Sequence, residues 1–158
     1  MASVRINIGV SGRGNDGIEP VRFNPDKVAK ILDALIVEAV RQLVDVAQCD
    51  DIEIWLYTRH IDCGVPGLAL RLGQSYQFIT VGIVTAEDRF DRTEDLPPVR
   101  DTRVVAPDKI REELVDSCDV LIALGADPVT VADAEAFEAA GGTVLAFDFQ
   151  TSEAYWRD

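Results

Sequence analysis

The chain has 158 residues, 47% of them hydrophobic and 27% charged, which fits one globular domain with a single core and excludes a disordered chain. Its formal net charge of −13 excludes general binding to nucleic acid or to an anionic membrane, both of which need a basic surface. A small anionic ligand stays open, because backbone N–H groups and a few arginines can hold a phosphate locally.

The opening "MASVRINIGV" enters a strand pattern directly, so no signal peptide is expected. No apolar run is long enough to predict a transmembrane span. Val4–Val10, "VRINIGV", alternates and is rich in β-branched residues, which predicts the first strand. A glycine-rich loop follows. "FNPDKVAKILDALIVEAVRQLVDVA" then reads as a long helix, with Asn24 as N-cap and Pro25 at the first helical position. Val28, Ile31, Leu32, Leu35, Ile36, Ala39, Val40 and Leu43 give it one apolar face. Val37 and Val44 form a second stripe, read as extra core contact or a subunit interface.

Ile52–Tyr57 is the second strand and Leu68–Ser75 a short helix. Phe78–Val84 is a third strand, nearly continuous in apolar residues, as in strands buried on both faces of a parallel sheet. Thr85–Arg103 is a charged, proline-bearing loop, long for a compact domain, with Val104–Val105 as a short edge strand after it. Asp108–Asp116 is a helix, Val120–Leu124 a strand, Val131–Ala140 a helix ended by Gly141-Gly142, and Thr143–Phe147 the last strand.

Strands alternating with helices imply parallel βαβ units. The expected fold is α/β: a single Rossmann-like three-layer domain over residues 1–158, with about five mostly parallel strands and helices on both faces. Ligands of such sheets bind at the carboxyl ends of the strands. Three loops leave those ends, at residues 11–18, 58–67 and 125–130.

The first loop contains Gly12-Arg13-Gly14-Asn15-Asp16-Gly17, the glycine spacing of a dinucleotide fingerprint. That fingerprint needs its third glycine at the helix start, whereas Gly17 stands seven positions before Asn24. The acidic residue expected at the end of the second strand is replaced by Tyr57, Thr58 and Arg59. The loop also lacks the lysine of a P-loop, and Arg13 stands where a nucleophile elbow around Ser11 needs glycine. Gly9, Gly12 and Gly14 still let backbone approach a ligand, Ser11 offers a hydroxyl, and Arg13 a planar fork for phosphate.

In the second loop Thr58, Arg59, His60 and Asp62 precede Gly64 and Gly67 at a helix start, an arrangement suited to an anion. The third region carries Gly125 with Asp119, Asp127, Asp133 and Glu135. Asp133 and Glu135 could flank a sugar, or belong to a solvated helix face. Thr130 and Asp133 also read as helix-start residues. The expected ligand set is therefore Gly9, Ser11, Gly12, Arg13, Gly14, Thr58, Arg59, Asp62, Gly64, Gly125 and Asp127, with Glu135 and Asp119 as the catalytic candidates. His60 is the one histidine, and Cys49, Cys63 and Cys118 are widely spaced. This predicts no metal site, no resident cofactor, and reduced thiols in a cytoplasmic protein.

Taken together, the Gly9-Val10-Ser11-Gly12-Arg13 turn, the "HIDCGVPGLALRLG" stretch and the run "VDSCDVLIALGADPVTVADAEAFEAAGGTVLAF" resemble the SLOG group of Rossmann-like nucleotide-binding domains. That group is related to the lysine-decarboxylase-like phosphoribohydrolases and to the DNA-processing protein A domain. The layout matches over nearly the whole chain. The "PGGxGTxxE" loop of the hydrolase branch is absent. The resemblance implies a non-catalytic domain that binds or senses a nucleotide-like small molecule. Two alternatives remain. One is an enzyme of N-glycosidic bonds, of the nucleoside deoxyribosyltransferase or phosphoribohydrolase kind, using Glu135 beside Asp119 or Asp127. The other is a structural protein that kept the fold and lost the site. The stripes on the long helix favour a homo-oligomer, dimer or higher, under all three.

Overall fold

The computed structural model describes residues 4–12, 25–47, 51–61, 64–86, 99–125 and 127–147. Strand β1 (Val4–Gly12) is followed by helix α1 (Pro25–Ala47), β2 (Ile52–Arg59), α2 (Val65–Ser75), β3 (Ile79–Val84) and β4 (Asp101–Val104). A 3-10 turn at Pro107–Lys109 leads into α3 (Ile110–Ser117), then β5 (Val120–Leu124), α4 (Pro128–Ala139) and β6 (Thr143–Phe147). The six strands form one sheet in the order β4-β3-β2-β1-β5-β6, every pair parallel.

This order explains the layers. Parallel crossovers are right-handed. The chain steps from β1 outward through β2 and β3 to the edge strand β4, with α1 and α2 on one face, then returns to β5 on the other side of β1. The stepping direction reverses there, so α3 and α4 fall on the opposite face. The reversal between β1 and β5 is the topological switch point, where open α/β sheets form their ligand crevice.

The alternation along β1 serves both faces. Ile6, Ile8 and Val10 point into the core beneath α1 and α2, together with Leu56, Val120, Ile122, Leu124 and the α1 residues Val28, Leu32, Ile36 and Ala39. The opposite core joins Tyr57, Val81, Ile83 and Leu121 to Ile110 and Leu114 of α3 and Phe137 of α4. All five residues of β5 are buried, as expected of a strand covered on both faces.

Several boundaries differ from expectation for local reasons. The edge strand expected at Val104–Val105 starts earlier and completes a six-stranded sheet, because Asp101–Val104 pairs with Val81–Val84. Its charged residues are those that keep an edge strand from pairing with another chain, so its composition reads as loop. Helix α4 begins at Pro128 and not at Val131, because Asp127 caps it: its carboxylate accepts from Thr130 N at 3.2 Å and from Thr130 Oγ1 at 2.8 Å. The helix stops at Gly141 (φ 87°), whose N–H donates to Glu138 O while Gly142 N–H donates to Phe137 O, a Schellman closure. On α1 the second stripe divides: Val44 packs against the core and Val37 is exposed. Among the described residues no helix is long and apolar enough to cross a membrane. Asn24 and the segment 87–98 lie outside the described residues.

Gly9 lies within β1, facing α3. A Cβ there would stand 2.9 Å from Cys118 Sγ and 3.2 Å from both Leu114 Cδ1 and Leu121 Cδ1. Gly9→Ala is therefore expected to destabilise the fold by about 1–3 kcal/mol through overpacking. Urea denaturation measures this, and an unchanged midpoint would contradict so close a contact.

Candidate functional site

The carboxyl ends of β1 and β2 project two polar side chains towards α3 and α4. Ser11, near the end of β1, is fully buried. Arg59, the last residue of β2, has a side chain only 12% exposed. Both meet Asp133, in the second turn of α4, whose side chain is completely buried. Helix α4 turns Thr130, Asp133 and Phe137 inward as its buried stripe. Its polar end thus lies over the strand ends and its apolar end over the core.

The Asp133 carboxylate is saturated. Oδ2 accepts from Ser11 Oγ at 2.6 Å and from Arg59 Nε at 2.8 Å. Oδ1 accepts from Arg59 Nη2 at 2.5 Å and from Arg111 Nε at 2.8 Å. Arg111 comes from the first turn of α3. Burial acts to raise the pKa of Asp133, but the hydrogen bonds from Arg59 and Ser11 and the charge of Arg59 outweigh it. The carboxyl is held below its ordinary value and stays ionised.

Two guanidiniums share this one carboxylate, both on Oδ1. Held on the same oxygen, the two guanidiniums repel each other, and solvent at the half-exposed Arg111 reduces that repulsion. Arg111 also stands where a helix N-terminus disfavours a cation, by about 0.3–1 kcal/mol. Among the described residues Asp133 is the only carboxylate paired with Arg111. Among the described residues the cluster therefore carries an excess of positive charge, in a chain whose net charge is −13.

The structure distributes the sequence-derived site residues unevenly. Ser11 and Arg59 come together through Asp133. Gly12, beside Ser11, lets β1 meet α2, since a Cβ would overlap Val65. Thr58 is buried and donates from Oγ1 to His60 O at 2.7 Å, fastening the turn in which His60 adopts a left-handed φ of 65°. Gly64 is buried and accepts at its carbonyl from Leu68 N at the start of α2. Gly125 (φ 112°) donates its N–H to Phe147 O. Asp127 is occupied as the α4 cap. Gly9 sits inside the strand, packed on Cys118. Arg13, Gly14 and Asp62 lie outside the described residues.

The two catalytic candidates stand apart from the cluster. Asp119 precedes β5, at the amino edge of the sheet, where it accepts from Asn7 N at 2.8 Å and Asn7 Nδ2 at 3.3 Å. Glu135 is exposed on α4. Two residues along a helix turn a side chain by about 200°, so Glu135 and the buried Asp133 face opposite ways. The thiol of Cys118 is pushed up by burial and by the nearby Asp119, and it packs against the core beneath α3. A shallow groove lined by Ala29, Lys30, Asp33, Leu72, Ser75 and Tyr76 lies between α1 and α2, on the face of the sheet away from Asp133.

The sequence leaves Asp133 open as a sugar flank, a solvated helix-face residue or a helix-start residue, and it does not single out Arg111. A cation in the first turn of a helix was the available signal, since the helix dipole opposes it. No family model matches the chain, and neither a curated protein nor a solved structure matches it.

Asp133→Asn leaves two guanidiniums without their counter-charge and is expected to cost about 3–5 kcal/mol at pH 7. The folded pKa of Asp133 lies below the unfolded value of about 3.9. Its contribution is therefore present in full above that value and is lost as pH falls through the folded pKa. Urea titrations between about pH 2 and 7 should show the gap between wild type and Asp133→Asn narrowing at the acid end. A gap independent of pH would contradict the assignment.

Proposed function

We propose that this chain binds a small phosphate-bearing, nucleotide-like ligand at the carboxyl edge of its sheet and performs no chemistry on it. The observation that carries this reading is the excess of guanidinium over carboxylate around Asp133, beside the switch point and the strand end that leads into the glycine-rich loop. Phosphate suits such a site because arginine's planar fork matches its oxygens. The resemblance to the SLOG group implies the same class of ligand.

The absence of chemistry is supported by the saturation of Asp133. A carboxylate that accepts four hydrogen bonds, two of them from one guanidinium, has no lone pair left to attack an anomeric carbon or take a proton. The glycosidic alternative would have to rest on Glu135, which faces away. The structural alternative draws on the same cluster, because Asp133 ties β1, β2, α3 and α4 together and would do so in a fold without a ligand. A homo-oligomer and a cytoplasmic location complete the proposal; the exposed Val37 on α1 is the surface residue that fits the former.

Thermal unfolding against a panel of nucleotides and the matching nucleosides tests the reading. A nucleotide at about 100 times its Kd should stabilise by about 2.7 kcal/mol, raising Tm by about 5 °C or more. The matching nucleoside should shift Tm far less. If no nucleotide shifts Tm, binding is refuted and the structural alternative takes its place.

A further inference from the structure

We propose that Arg111 is a binding residue for the phosphate of a nucleoside monophosphate, that Asp133 is its positioning residue, and that Val129 gives the nucleoside an apolar wall. This rests on the reading above and names the side chains that would carry it. Three observations converge. The Arg111 side chain is 42% exposed, against 12% for Arg59, so of the two guanidiniums it is the one that meets solvent. It is held at Nε by Asp133 Oδ1 at 2.8 Å, and among the described residues its two Nη groups donate to nothing. An arginine tethered at Nε presents both Nη groups on its remaining edges, a fixed pair of donors suited to phosphate oxygens.

The wall comes from helical spacing. Val129 precedes Asp133 by four residues, so it lies on the same side of α4, one turn nearer the strand ends. It is 45% exposed, an apolar side chain in water one helical turn from Asp133. A phosphate alone has no use for it, whereas a phosphate carrying a nucleoside has an apolar face to lay on it. Asp133 needs no contact with the ligand. Sharing its charge between Arg59 and Arg111 fixes the Arg111 fork while leaving the pair net positive.

Isothermal titration calorimetry of the full chain tests this, with the four ribonucleoside monophosphates, their nucleosides and inorganic phosphate as probes. Wild type should bind at least one monophosphate more tightly than its nucleoside and more tightly than inorganic phosphate. Arg111→Ala should weaken that monophosphate by about tenfold or more, the worth of a charge-assisted pair. It should leave nucleoside affinity unchanged. Arg111→Lys, which keeps the charge without the fork, should recover only part of the loss. Val129→Asn should weaken the monophosphate and leave inorganic phosphate unaffected. A purely structural Arg111 would lower the Tm of the free protein and leave the monophosphate-to-nucleoside ratio as it is in wild type. If Arg111→Ala binds the monophosphate within about twofold of wild type, this assignment falls and the proposed function stands. If wild type binds no monophosphate but does bind a larger nucleotide in the thermal panel, the assignment falls alone. If it binds no nucleotide at all, both fall together.

Discussion

A carboxylate moved out of water must find its counter-charges or lose its proton, and at Asp133 this constraint fixes the positions of four elements at once. The side chain is fully buried and still ionised, because Ser11, Arg59 and Arg111 bring four donors to its two oxygens. Ser11 requires the end of β1, Arg59 the end of β2, and Arg111 the first turn of α3. None can move far without leaving a charge unpaired under the helix. The apolar packing of Phe137, Ile110 and Leu114 holds α3 and α4 to the sheet, but packing is not directional. The ion cluster supplies the direction, setting where along the strands each helix sits.

The same helix shows why the site was less legible than the fold. The parallel order was plain from apolar runs such as "FITVGIV" and "VLIAL" alternating with helical stretches. Such runs need no partner to be recognised, because burial on both faces leaves its mark residue by residue. Helix α4 has no comparable mark. Its buried stripe is Thr130, Asp133 and Phe137, two polar residues and one aromatic, set among alanines that fit either face. A reading by hydrophobic period therefore has no reason to turn Asp133 inward, and it groups Asp133 with Glu135 although the helix separates them. The β4 edge strand is legible only at its end, around Val104, since Asp101 and Arg103 suit an edge and read as loop.

The acidic residues near the loops illustrate how one residue type takes different work from its surroundings. Asp119 accepts from the backbone and side chain of Asn7, securing the amino edge of the sheet. Asp127 accepts from the first turn of α4, and its partners are a backbone N–H and a hydroxyl. Asp133 alone faces guanidiniums. In sequence all three are aspartates near turns of an acidic chain. What separates them is the direction their backbone gives them, and that is decided by elements far away in the chain: Ser11 lies 122 residues from Asp133, and Arg59 lies 74.

Arg59 and Arg111 make the division of labour at the carboxyl edge physical. Arg59 gives Nε and Nη2 to one carboxylate and is nearly closed off from water. A bidentate pair in that environment is strong and inflexible. Arg111 gives only Nε, keeps its Nη edge, and stands partly in solvent at a helix terminus that opposes its charge. A chain of net charge −13 has many carboxylates with which to neutralise a surface arginine, yet among the described residues Arg111 shares the one that Arg59 already holds. Were the cluster only a clasp, a second carboxylate on Arg111 would strengthen it and relieve the repulsion between the two guanidiniums. A charge left uncompensated among the described residues suits the proposed reading, in which an incoming anion supplies the counter-charge.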